Sequence, residues 1–416
     1  MNIAGSLHWI YFIVSPWVFI FLLRGSMLIE YASLNINLLI FIGLFLLATC
    51  TLFTIGAIAK RKTRTTSAHN RFTTSRSDTF LIASLSVAYI VFLAFDFFIT
   101  KGGSLATITE IREEDNLAGG RMSIFGGVIA LISAAPYILL GLVLYTKYIG
   151  VRTRFRPLMF IAMIGVAASF LTGGRNSFLI GITVIFVQYL LMKNKRTNIQ
   201  QSGKGNFALY AFITAFILFS LYLFAEREMN QGIESAAILD IFSIKWGVGI
   251  ATLETGNDFI NIIYTVLVIL VFYFTHALTY LDQYFIFNAS PLFLGAYNFP
   301  IPAKAIEVLV NIQVFSGLQD GLLLPGVYLT LPGSLYLDFG FWGALFFGSF
   351  LAAITGILYA GRKALSFRAM QTLCFFIAMW ILSPLYSVFS VANGFSFIAI
   401  LFIMHIKNIS FRLNKI

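Results

Sequence analysis

The sequence predicts an all-α polytopic membrane protein, and three observations carry that class. Of 416 residues, 59% are hydrophobic and only 11% are charged, more apolar surface than a soluble domain of that size can hide. Apolar runs near the roughly 20 residues that span a bilayer recur from end to end. The basic residues gather in alternate loops between those runs.

Spans are expected over 7–23, 34–59, 79–99, 122–146, 157–171, 177–192 and 207–224, then over 259–279 and 283–296, and last over 334–360, 369–388 and 395–406. The first run has no Lys or Arg ahead of it, so it reads as a span and not as a cleaved signal peptide. Segments 60–76, 147–156, 193–204, 362–368 and 407–415 hold 20 of the 28 Lys and Arg. This places both termini and those five segments in the cytoplasm. The net charge of +11 therefore reports topology, and no nucleic-acid partner is implied. Cys50 and Cys374 lie in apolar runs and offer neither a disulfide framework nor metal spacing.

The pair 259–279 and 283–296 fits least well. Its turn at Tyr280, Leu281 and Asp282 should be cytoplasmic, yet no basic residue occurs between Lys245 and Lys304. Twelve spans, or ten plus a re-entrant hairpin entered from outside, satisfy the same parity. The chain reads as a single integral membrane domain, 1–416, with outer loop segments at 225–258 and 297–331. Both segments carry apolar and aromatic residues, which suits short amphipathic helices on the outer membrane surface.

Chemistry is sought among the charges that face outward. In Thr172-Gly173-Gly174-Arg175-Asn176 an arginine follows two glycines at the start of a span. A guanidinium beside flexible backbone and a fresh helix N-terminus suits phosphate oxygens. Arg227 lies at another outer span end, and Arg121 starts a span after Gly119-Gly120. Three such arginines could converge on a diphosphate. Equally, each could snorkel to headgroups or pair with a nearby acid, as Glu226 and Glu228 permit for Arg227. Asp338, in Tyr336-Leu337-Asp338-Phe339-Gly340, sits just inside the outer end of a span. It could serve as a general base or as a hydrogen-bonded pin of helix packing. His276, six residues before Asp282, could be a second base or a structural histidine. No Walker loop, dinucleotide-binding glycine pattern, Cys/His metal spacing or Asp-x-Asp pair is present. No cofactor and no metal are expected, and a lipid-linked diphosphate is the first ligand to consider.

Thr172-Gly173-Gly174-Arg175 between two spans resembles the small-residue-then-Arg turn of bacterial O-antigen polymerases, the Wzy-type oligosaccharide repeat-unit polymerases. Thr330 to Gly343, with Tyr336, Asp338-Phe339-Gly340 and Gly343, is similar to the late Thr…Asp-Phe-Gly-x-x-Gly segment of that family. The likeness runs from about Arg112 to Gly356. It implies an inner-membrane enzyme of ten to fourteen spans with a GT-C-like bundle, related to the O-antigen ligases. Such an enzyme moves a growing glycan from undecaprenyl diphosphate onto a new lipid-linked repeat unit at the periplasmic face, without metal. Arg175 and Arg227 would hold the leaving diphosphate, with Arg121, Gly173, Gly174 and Tyr336 lining the substrate site. Asp338 or His276 would deprotonate the acceptor hydroxyl or hold the residue that does. The expected partners are undecaprenyl-diphosphate-linked glycans and membrane lipid, and a chain-length regulator protein is a further candidate. One departure stands out: 297–331 holds Lys304 as its one basic residue, where some family members carry arginine-rich motifs. An O-antigen ligase, a flippase-like transporter and a non-catalytic assembly factor are the competing classes. Against the transporter, no two related halves and no midplane charges are evident.

Overall fold

The computed structural model describes residues 10–26, 28–62, 76–102, 124–148, 155–169, 175–193, 243, 248–250, 258–287, 292–310, 322–323, 328–362 and 365–413. They form a helical bundle. In chain order it contains α1 (Ile10–Arg24), α2 (Ile36–Lys62), α3 (Arg76–Ala94, continued by a π-turn Phe95–Thr100), α4 (Ile124–Ile132), α5 (Ala135–Tyr148), α6 (Phe155–Ala168) and α7 (Arg175–Lys193). There follow α8 (Asp258–Ile286), α9 (Pro300–Val310), α10 (Leu331–Gly361), α11 (Phe367–Leu382) and α12 (Ala392–Leu413). Two short strands, β1 (Ile29–Glu30) and β2 (Gly249–Ile250), pair antiparallel.

Among the described residues, five helical stretches are long and apolar enough to cross a membrane: Ile36–Lys60, Arg76–Thr100, Gly126–Lys147, Ile263–Ile286 and Leu331–Gly361. Large side chains such as Leu47, Trp342 and Phe346 are 65–78% exposed, which suits an apolar solvent around the bundle. The run expected over 207–224 lies outside the described residues.

Helices α2 and α10 form the most intimate pair and run in the same direction. Phe41 meets Tyr336 and Phe341, whereas Phe53 meets Tyr359. Their backbones approach so closely that a Cβ on Gly356 would strike the Phe53 carbonyl, and one on Gly56 the Ala353 carbonyl. Small residues are therefore obligatory along this seam.

The bundle has two distinguishable ends. The lower end carries Lys60, Arg76, Lys147, Arg156, Arg362 and Arg368, close to helix termini. There Arg368 grips Asp78 with two hydrogen bonds of 2.7 Å, tying the start of α11 to the start of α3. The upper end carries residues 25, 26 and 28–35, where the described residues hold fewer cations. Between the ends, helix breaks are sealed by side chains. At the junction of α4 and α5, the Ser133 hydroxyl donates to Asn393 Oδ1 (3.1 Å), and the Ala134 amide donates to Ser396 Oγ (2.9 Å).

Two expected elements are corrected. The turn at 280–282 does not exist: α8 is continuous from Asp258 to Ile286, and 283–296 is not a separate span. The partners of α8 explain its placement. Ile29 packs in one cluster with Val268, Ile269, Val271 and Phe272. The Tyr31 hydroxyl meets Thr275, Arg24 donates to Thr279 (2.6 Å), and the Asn35 amide donates to Asp282 Oδ1 (2.8 Å). Phe285 stacks on Tyr336 and packs on Phe41. From Val268 to Phe285 the helix advances about 25 Å, yet all these partners belong to the upper end. Helix α8 thus packs along the upper part of α1, where Phe274 also meets Phe19, and along the start of α2. The second correction concerns 369–388: α11 stops at Leu382, and 383–391 is irregular apart from a 3-10 turn at Val388–Ser390.

Candidate functional site at the upper end

The site is organised by a break in α10. Thr330 caps the helix by accepting from the Gly333 amide (3.1 Å), and Pro332 occupies the first turn, where a missing N–H costs nothing. Gly340 then adopts φ 69°, ψ −173°, a conformation closed to most side chains. Leu331 to Phe339 is consequently a short helix set at an angle to the long one below it. Leu331 to Asp338 are all buried. The entry to this short helix runs beside the unwound end of α11: the Leu331 amide donates to Ser383 O (2.7 Å), and the Ser387 amide to Leu329 O (3.0 Å). Irregular backbone at this depth is satisfied by protein, as a low-dielectric setting requires.

Asp338 is fully buried and faces the segment that follows α8. Its Oδ1 accepts the Tyr297 amide (3.0 Å), while Oδ2 accepts the Asn298 amide (3.0 Å) and the Asn298 side-chain amide (2.7 Å). Asn298 Oδ1 in turn accepts the Ser387 hydroxyl (2.6 Å). The Phe293 and Leu294 amides bond to the carbonyls of Leu337 and Asp338. The turn these contacts hold contains Leu294 (φ 52°) and Gly295 (φ 94°). Asp338 is thus the hub that fastens 293–298 to the short helix and, through Asn298, to 383–391. Both of its oxygens are engaged by N–H donors, the arrangement of a carboxylate that holds a loop.

A second polar group secures α8. Arg24 donates to Thr279 and to Ala32 O (2.7 Å), and its guanidinium lies 4.3 Å from the centre of the Tyr31 ring. Burial raises the Tyr31 phenol above its usual range, so it stays protonated. Asp282 contributes a further favourable charge to Arg24. This cluster accounts for the acid in a run devoid of Lys and Arg: its cation comes from α1.

The residues singled out in the sequence fall into three groups. Asp338 is central. Tyr336 and His276 are packed by aromatics: Tyr336 stacks on Phe285 at 4.9 Å and is 8% exposed. His276 stacks on Phe272, with Nδ1 2.9 Å from the Tyr273 carbonyl one turn back. His276 and Asp282 are six residues apart on one helix, about 240° around its axis, so they do not share a face. Arg175 is the first residue of α7, whose opposite half meets α5 and α11 through Gln188, Gly141 and Gln371 near the lower end. Helix α7 therefore opens toward the upper end; the Arg175 side chain lies outside the described residues. Arg121, Gly173, Gly174 and Arg227 lie outside the described residues. Sequence reasoning missed Asn298 and Ser387, which have no motif of their own, and it gave Arg24 no role. Among the described residues, no group of three or more His, Cys, Asp or Glu could hold a metal. Comparison of the chain with protein-family models, curated proteins and solved structures finds no match.

Proposed function

We propose that this protein is a polymerase of undecaprenyl-diphosphate-linked oligosaccharide repeat units, working at the periplasmic face of the bacterial inner membrane. The carrying observation is the upper end itself. There, a broken α10, an unwound 383–391 and the loop fastened by Asp338 lie together, and α7 opens toward the same end with Arg175 as its first residue. Non-helical backbone at membrane depth belongs where it is enclosed by protein or lines a cavity. In this reading the upper end faces the periplasm, the lower cations face the cytoplasm, and ten crossings include 207–224 but not α8. Arg175, with Arg227 and Arg121, neutralises the leaving diphosphate, where charge develops. Asp338 positions the acceptor side of the site by fixing 293–298. The sequence resemblance gives the same substrate class.

The function is tested in cells that depend on this chain for their surface polysaccharide. Arg175→Ala should remove the long glycan ladder and leave single-repeat glycans. Arg175→Lys should restore little, because an ammonium lacks the paired donors of guanidinium. A normal ladder at equal protein level would sink the Arg175 role, and loss of even single-repeat glycans would point to flipping or ligation.

The orientation has its own test, in a background without Cys50 and Cys374. Ala305→Cys, on the exposed face of α9, should react with an impermeant thiol reagent applied to spheroplasts. Lys60→Cys should react only after the membrane is opened. The reverse pattern would invert the topology.

A further inference from the structure

Five tyrosines from four separate segments converge where 293–298, 328–331 and 383–391 meet. Tyr280 and Tyr284 of α8 share a hydroxyl–hydroxyl hydrogen bond of 2.9 Å, and the Leu323 amide donates to the Tyr284 hydroxyl (3.2 Å). The Tyr297 hydroxyl is hydrogen-bonded to the Leu329 backbone, within electrostatic reach of Tyr284 and Tyr328. Tyr328 lies 6.1 Å from Tyr386, centre to centre. Membranes do attract tyrosines to their interfaces, but such belts turn their rings toward headgroups. Here Tyr280, Tyr284 and Tyr386 are at most 4% exposed, and Tyr328 is 39% exposed. The cluster is therefore a buried wall of rings with one ring, Tyr328, exposed at its edge. An aromatic face backed by a second ring, with hydroxyls that both donate and accept, matches the apolar face and hydroxyl rim of a sugar.

We propose that Tyr328, backed by Tyr386, is the stacking platform for a pyranose ring of the acceptor glycan. This rests on the glycosyl-transfer reading above and adds an acceptor subsite to it. Tyr284 and Tyr297 hold the wall in place through the Leu323 and Leu329 backbones. The Asp338 clamp keeps Tyr297 in register with that wall through its amide.

The test uses the full chain in nanodiscs with lipid-linked repeat units as donor. The same repeat-unit oligosaccharide, freed of its lipid, is titrated as acceptor. Tyr328→Ala should raise the acceptor KM about tenfold, the scale of one lost aromatic contact, and leave kcat within about twofold. Tyr328→Phe and Tyr328→Trp should stay near the wild-type KM, because they keep the stacking face. An unchanged KM in Tyr328→Ala, or a Phe variant as impaired as the Ala variant, overturns the proposal. Should the wild-type chain form no polymer at all, the glycosyl-transfer reading fails by itself. Saturation-transfer NMR with the free oligosaccharide then decides the subsite: ring-proton transfer present in wild type and lost in Tyr328→Ala supports it, and equal transfer or none in either overturns it.

Discussion

Asp338→Ala is expected to destabilise the protein by about 3 kcal/mol or more, since each buried donor stripped of its acceptor costs ~1–3 kcal/mol. Two of the donors concerned, the Tyr297 and Asn298 amides, belong to the backbone and cannot rotate away. The third, the Asn298 side chain, also answers to Ser387, so its displacement would loosen 383–391 as well. Thermal unfolding in detergent should show a clear drop in midpoint. The substitution also separates the two roles open to this carboxylate. Asp338→Asn keeps one acceptor but points an N–H₂ at other donors, so a clamp predicts an intermediate loss of stability with a parallel loss of activity. A general base predicts the opposite: Asp338→Asn with unaltered melting and no turnover. Such a result would overturn the clamp.

That distinction shows how far the sequence could be read. The placement of Asp338 near a span end was legible, because a carboxylate in an apolar run demands a partner. The partner was not: Asn298 lies 40 residues away in a loop with no periodicity. Length and hydropathy foretold α2, α3 and the long arm of α10, which are apolar away from their charged ends. They failed at α8, because Asp282 and Gln283 interrupt the apolar run and imitate a turn. The helical spacing of Val268, Val271, Phe272, Thr275, Thr279, Asp282 and Phe285 was the overlooked signal. It forms one stripe, and that stripe is what Ile29, Tyr31, Arg24, Asn35 and Phe41 cover. The end of α11 was also legible, because Pro384 brings no N–H to continue the helical ladder and its ring crowds the turn before it, while Ser383 itself keeps helical angles. Reading 369–388 as a single span gave hydropathy more weight than proline chemistry.

At the lower end, Asp78→Ala is expected to be nearly as damaging as Asp338→Ala, for an electrostatic reason. Arg368 gives Nε–H and one terminal N–H to the two oxygens of Asp78, and the two side chains are only 12% and 4% exposed. Removing the carboxylate strands a guanidinium in a site too dry to solvate it, a loss of about 3–5 kcal/mol when a buried pair is broken on one side. The reverse change should cost less. Asp78 lies in the first turn of α3, where free amides and the helix dipole still favour an anion. Replacing both residues with apolar ones, Asp78→Leu with Arg368→Met, removes both charges and should recover most of the loss, leaving a large coupling in the double-mutant cycle. Additive single losses would show that the pair does not act as a unit. The pair joins α3 to α11 at the end remote from the Asp338 loop. Whatever fraction of these variants folds should therefore turn over at the wild-type rate, while Asp338 variants lose rate and stability together. A lower-end variant that folds fully yet turns over slowly would mean that the two ends of the bundle are mechanically coupled.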